Sequence, residues 1–106
     1  MNIQEMMQQA KVMQERMQQL QLELADREVQ GQSGGGMVNI VMTCKGEVRG
    51  LDISPDIINP DDKETLEDLI VAALNMARAN ADEMLAQETQ KMMQEMGLPT
   101  NMDMPF

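Results

Sequence analysis

Seven apolar residues near the start of the chain, Ile3, Met6, Ala10, Met13, Met17, Leu20 and Leu24, are separated by steps of 3, 4, 3, 4, 3 and 4. This is the a/d seam of a heptad pattern held for about three repeats. A helix is the regular element that brings all seven onto one side. Gln8, Gln9, Gln14, Glu15, Gln18, Gln19, Gln21 and Glu23 fill the positions between them and suit a solvated helix surface. The seam fits two roles that do not exclude each other. It is either an ordinary amphipathic face packed on the chain's own sheet, or an arm that pairs with another helix or another chain.

The rest of the chain must cover that helix with few bulky side chains. Of 106 residues, 14 are Met, one is Phe, and none is Trp or Tyr. Aliphatic and Met packing therefore has to serve, and Met adapts to gaps more readily than it specifies a shape. A chain of this length buries only about 60–70% of the surface its unfolded form exposes. One domain over residues 1–96 is expected, with a flexible tail over 97–106. Its apolar faces call for a partner chain.

After Arg27 the pattern changes. A short polar stretch from Arg27 to Gln32 leads into a turn at Ser33-Gly34-Gly35-Gly36. From Met37 to Cys44 the residues alternate, with Val38, Ile40, Met42 and Cys44 on one face, which predicts a strand. Lys45-Gly46 suits a tight turn, and Glu47 to Ile53 suits the next strand. Val48 is out of phase with Leu51 and Ile53, so a bulge at Gly50 is expected to re-aim the strand. The middle of the chain reads as a three-stranded antiparallel meander.

Pro55 ends the sheet because it has no N–H for a ladder. A long helix is then predicted, with Asn59 as N-cap, Pro60 in the first position and acidic residues in the first turns. Its apolar stripe, Leu66, Ile70, Ala73, Ala77, Ala81 and Met84, is rich in alanine and lets a neighbouring backbone come close. Gly97 and Pro99 stop it. From Pro60 to Met96 it would measure about 55 Å, at about 1.5 Å per residue. A three-stranded sheet is shorter than that, so the distal half must project or pair. The fold class is α+β: helix, three-stranded antiparallel meander, long helix.

Catalysis is poorly provided for. There is no His, and the single Cys44 has neither a disulfide partner nor an imidazole to activate it. A non-enzymatic protein without a cofactor is expected. The unpaired cysteine, the missing signal-peptide pattern and the absence of an apolar run of about 18 residues point to the cytoplasm and away from a membrane. Gly31-Gln32-Ser33-Gly34-Gly35-Gly36 lacks the Lys and Ser/Thr of a phosphate-binding loop and precedes a strand, so it reads as a hairpin turn. Asp52, Ser54 and Asp56 start like a calcium loop, but Ile57 and Lys63 stand where Gly and Glu are required. No metal site is expected.

The net charge is −10, from 18 acidic and 8 basic residues. Nucleic-acid binding normally needs clustered Lys and Arg. Here Lys11, Arg16, Arg27, Lys45, Arg49, Lys63, Arg78 and Lys91 form no run.

The order of segments nonetheless resembles the YbaB/EbfC nucleoid-associated proteins. The likeness is carried by Met13-Gln14-Glu15-Arg16-Met17-Gln18 and by Glu28-Val29-Gln30-Gly31-Gln32-Ser33-Gly34-Gly35-Gly36-Met37-Val38. It continues in Asp52-Ile53-Ser54-Pro55, in the stretch from Asp62 to Ala73 with Asn75, and in Met104-Pro105-Phe106. The resemblance implies an intertwined homodimer with projecting helical arms, located in the bacterial nucleoid. It also implies contact with double-stranded DNA through the arms, with little sequence preference. Carried over residue by residue, Lys11, Arg16, Arg78 and Lys91 would contact phosphates, which position a protein without reading bases. This chain departs from the pattern in having Gln, Asn80, Asp82 and Glu83 where relatives carry Lys and Arg. Weak, salt-sensitive binding is therefore expected. The alternative is a protein-binding adaptor or holdase-like clamp that uses Met6, Met7, Met13, Met17, Met84, Met92 and Met93 as adaptable contacts for protein partners.

Overall fold

The computed structural model describes residues 2–97. The tail expected over 97–106 lies outside the described residues from position 98 onward. The elements follow in the order α1 (Ile3–Asp26), β1 (Glu28–Ser33), β2 (Val38–Thr43), β3 (Val48–Ile53) and α2 (Lys63–Glu95), with single 3-10 turns at Gly34–Gly36, Pro55–Ile57 and Pro60–Asp62. The predicted helix, meander and long helix are all present.

The sheet order is β1-β2-β3, antiparallel throughout. Residues directly opposite one another in such a ladder share a face. The pairs Val29↔Met42, Gly31↔Ile40 and Ser33↔Val38 therefore place Val38, Ile40 and Met42 on the same side as Gly31, and that side packs on α2. The predicted bulge exists, one residue before the Gly50 at which it was expected. Val41 pairs with Gly50 and Met42 with Val48, so Arg49 is the extra residue. It brings Val48 onto the face of Leu51 and Ile53, which resolves the broken phase.

The alanine stripe of α2 serves as expected. Ala73, Ala77 and Ala81 are fully buried, and β1 reaches them through Gly31. A Cβ at Gly31 would sit 2.7 Å from the Ala77 Cβ, and closer still to the Ala73 carbonyl oxygen and the Ala77 nitrogen. Only glycine permits that approach. Hydrogen bonds fix the alignment: Ser33 Oγ donates to the Leu69 carbonyl at 2.6 Å, and Asn80 Nδ2 donates to the Gln30 carbonyl at 2.7 Å.

One boundary differs from expectation. Asn59 does cap, but its side chain accepts from the Asp61 N–H and closes a 3-10 turn over Pro60–Asp62, and α2 begins only at Lys63. Thr65 Oγ1 donates to Asp62 Oδ1 at 2.8 Å across the junction. The acidic residues placed in the first helical turn are thus split between the turn and the helix.

At about 1.5 Å per residue, α2 is roughly 50 Å long and outreaches the sheet. Its distal part runs antiparallel to α1, since Arg27 pairs with Glu88 and Arg16 with Glu95. Met92 and Met93 are buried in the same core cluster as Leu20 and Leu24, with Met17 packed against it. The molecule measures 70 × 22 × 17 Å as a result. The seam of α1 is covered at its C-terminal end and open at the other: Leu24 is buried, whereas Ile3 is 75% exposed.

Candidate nucleic-acid interface

The four basic residues singled out from the sequence all lie on α1 and α2, but they do not form one patch. Arg16 and Lys91 face the same cleft from the two helices. They line a cleft of about 410 Å³ together with Gln19, Glu23, Glu88 and Glu95. Within it, Arg16 Nη1 lies 3.3 Å from Glu95 Oε2. Just beside it, Arg27 Nη1 lies 3.0 Å from Glu88 Oε1. Carboxylates outnumber the two bases lining this cleft, so its local field is not cationic.

Lys11 sits apart, among Met7, Gln8, Val12 and Glu15. Five helical positions from Arg16, it is turned by about 140° around the axis, so the two cannot follow one groove. Arg78 is separate again, where the sheet meets the helix pair. There it pairs with Asp82 at 3.4 Å and lines a depression with Gln21, Leu24, Cys44, Lys45 and Leu85. Lys45 beside it is a cation that sequence reasoning passed over. The available signal was its place in the tight turn, which the strand length sets level with the middle of the long helix.

All four guanidiniums are engaged. Arg16, Arg27, Arg49, Lys63 and Arg78 each hold a carboxylate within 4.0 Å, whereas Lys11, Lys45 and Lys91 hold none among the described residues. Such exposed pairs are worth about 0–1 kcal/mol, so a phosphate can displace the carboxylate.

The remaining chemistry is sparse. Burial pushes the Cys44 thiol above its ordinary pKa; the nearby Arg27 charge opposes this and Glu88 adds to it. A protonated, enclosed thiol is a poor nucleophile. Among the described residues no group of three His, Cys, Asp or Glu side chains is placed to hold a metal ion, and no helix is long and apolar enough to cross a membrane. The clamp alternative loses much of its surface. Met92 and Met93 are core residues, and Met17 and Met84 pack against the core, which leaves the exposed Met6 and Met7 and the half-buried Met13 as its contacts.

Residues 1–96 match the YbaB/EbfC DNA-binding family. The chain belongs to that family. It is 43% identical to a nucleoid-associated protein of Methylocella silvestris over 101 residues, covering 95% of this chain and 94% of the relative. It is 55% identical to one of Neisseria gonorrhoeae over 80 residues, covering 74% and 72%. It is also 44% identical to one of Caldanaerobacter subterraneus over 98 residues, covering 92% and 88%. Among solved structures, the crystal structure of an uncharacterized protein from Helicobacter pylori superposes with a TM-score of 0.75 at 25% identity, covering 88% of this chain and 98% of that one. The YbaB/EbfC match runs through α1, the sheet and α2, so it takes in every basic residue of this chain. It is a DNA-binding family and not an enzyme family.

Proposed function

We propose that this YbaB/EbfC member is a homodimeric nucleoid-associated protein of the bacterial cytoplasm that binds double-stranded DNA with little sequence preference. The observation that carries this is the family match over residues 1–96, joined by close relatives that are named nucleoid-associated proteins. The paired helices act as the arm. Arg16 and Lys91 contact phosphates from the interhelical cleft with Arg27 beside them, Arg78 and Lys45 contact them from the base of the arm where it meets the sheet, and Lys11 contacts them from the outer face of α1.

Dimerisation is supported by the uncovered edge strand of the sheet. Ile40 pairs with Leu51 and Met42 with Val48, so β3 presents the same face that α2 covers on β1 and β2. Yet Leu51 is 53% and Val48 47% exposed. An edge strand with an apolar face calls for a second chain over it.

The test is fluorescence anisotropy of a labelled generic duplex titrated with the protein at low and then physiological salt. Binding that weakens steeply with salt, and weakens further in the Arg16→Ala/Arg78→Ala variant with the fold intact, supports phosphate-dominated recognition. No binding at low salt overturns the proposal. Unchanged binding in the double variant removes those two residues from the interface.

A further inference from the structure

The seam that opens the chain is only half used. α2 runs antiparallel to α1 and ends at Glu95, beside Arg16, whereas α1 continues for more than three further turns to Ile3. Along those turns the seam side of α1 faces a groove of about 740 Å³, lined by Met6, Gln9, Ala10, Met13, Met96 and Gly97. Met6 is 56% exposed.

We infer that this groove takes the same segment of a second copy of the chain, so that two α1 helices pair antiparallel through their N-terminal halves. The spacing is the first support. Ile3, Met6, Ala10 and Met13 follow one another in steps of 3, 4 and 3, which read the same in both directions. A twofold axis level with Gln8 therefore sets Ile3 of each copy against Met13 of the other, and Met6 of each against Ala10 of the other. The result is four apolar layers, the inner two matching a long side chain with a short one in knobs-into-holes fashion. Such a contact uses one patch on both copies and closes on two chains.

The direction is set by α2. An antiparallel second helix enters the groove where α2 stops, at Met96, and runs on in the same direction along the same seam. It covers Ile3 to Met13 as α2 covers Met17 to Leu24. A parallel helix would drive its own residues beyond Arg16 into the end of α2. Charge is the third support. From Ile3 to Gln14 the charged residues are Glu5 and Lys11, which cancel, in a chain of net charge −10. Two copies meet here without the repulsion that opposes contact elsewhere. At the positions flanking the seam, Met7 of each copy lies on one side of the axis and Gln9 of each on the other, so no like charges face one another. The exposed Met7 pair widens the apolar contact. An amide both donates and accepts, so Gln9 is its own complement. This surface is separate from the exposed face of β3.

The experiment is sedimentation equilibrium of the full-length protein, as wild type and with Leu51→Asp, from about 1 μM to about 500 μM, a range suited to a small interface. Both chains should gain mass with concentration, and Leu51→Asp should approach twice its dilute mass. Met6→Lys and Ala10→Glu stand at exposed positions. Each puts an unpaired charge into the apolar layers and should weaken the association about tenfold or more, with circular dichroism unchanged. An equimolar mixture of the two variants should regain it, because the new ammonium of one copy then faces the new carboxylate of the other. A mass that ignores concentration in the Leu51→Asp chain overturns the inference. So does a mixture that associates no better than its components. None of these readouts depends on DNA binding or on whether β3 forms the proposed dimer.

Discussion

Replacing Glu88 and Glu95 with Gln should make this protein bind DNA more tightly. Each carboxylate occupies a guanidinium that a phosphate would otherwise take, at 3.0 Å from Arg27 and 3.3 Å from Arg16. An exposed pair of this kind is worth about 0.2–1 kcal/mol, which is roughly 1.4- to 5-fold in affinity for each pair that DNA no longer has to break. Both replacements together should give about 2- to 30-fold per arm at low salt. Each guanidinium freed for a phosphate steepens the fall of log K with log salt by about 0.9, so the advantage shrinks as salt rises. The amide keeps the shape and a hydrogen-bond acceptor, and unfolding temperature should shift little. Anisotropy of a labelled duplex across a salt series measures affinity and slope together. If the double variant binds no tighter and its slope is unchanged, the carboxylates are not competitors and Arg16 and Arg27 are not phosphate contacts.

Gly31→Ala should cost about 3 kcal/mol or more, because the new methyl meets the α2 backbone, which cannot step aside as a flexible side chain can. Gly50→Ala, whose Cβ would meet Val41 at an ordinary 3.8 Å, should be nearly neutral; urea unfolding of the two variants separates them. Leu51→Asp should shift sedimentation from dimer to monomer at micromolar protein and leave the circular dichroism of the chain largely intact. Stability should fall as pH rises above the ordinary thiol pKa, roughly 8.5, because the unfolded chain then loses the Cys44 proton while the folded chain, with its raised pKa, keeps it. Cys44→Ala should remove that alkaline loss, and chemical denaturation at a series of pH values reads it directly.

Most of the fold was legible because its signals are local and periodic. The 3-4 spacing gave α1, the alternation from Val38 to Cys44 gave β2, and the phase break at Val48 foretold the bulge now seen at Arg49. The alanine stripe announced a close approach, though not that Gly31 would make it. The start of α2 was misplaced by three residues because Asn59 caps equally well a helix or the 3-10 turn it actually closes. The site was less legible. Arg16 and Glu95 stand 79 positions apart, and nothing local reveals that the antiparallel helix pair makes them neighbours. For the same reason Met92 and Met93 looked like free contacts on α2, when α1 covers them.

The net charge of −10 weighs less against DNA binding once it is placed on the molecule. Between Asp52 and Asp68 there are seven acidic residues and one basic residue, so this stretch alone holds more than half of the excess. It forms the end of β3, the two proline turns and the start of α2. From Lys63 to Glu95 the helix covers about 48 Å, at about 1.5 Å per residue. At physiological ionic strength charge is felt over about 8 Å, so the acidic end is several screening lengths from the cleft of Arg16 and Lys91. The distant acids therefore do little to the phosphate affinity of the helix pair, and they disfavour any approach of DNA from the other end. What opposes binding at the cleft is local: Glu23, Glu88 and Glu95. Neutralising acids between Asp52 and Asp68 should accordingly change affinity far less than neutralising Glu88 and Glu95, although it removes as much charge. A comparison of Asp61→Asn/Asp62→Asn with Glu88→Gln/Glu95→Gln at the same salt tests this, and equal gains would mean that total charge, not its placement, governs binding.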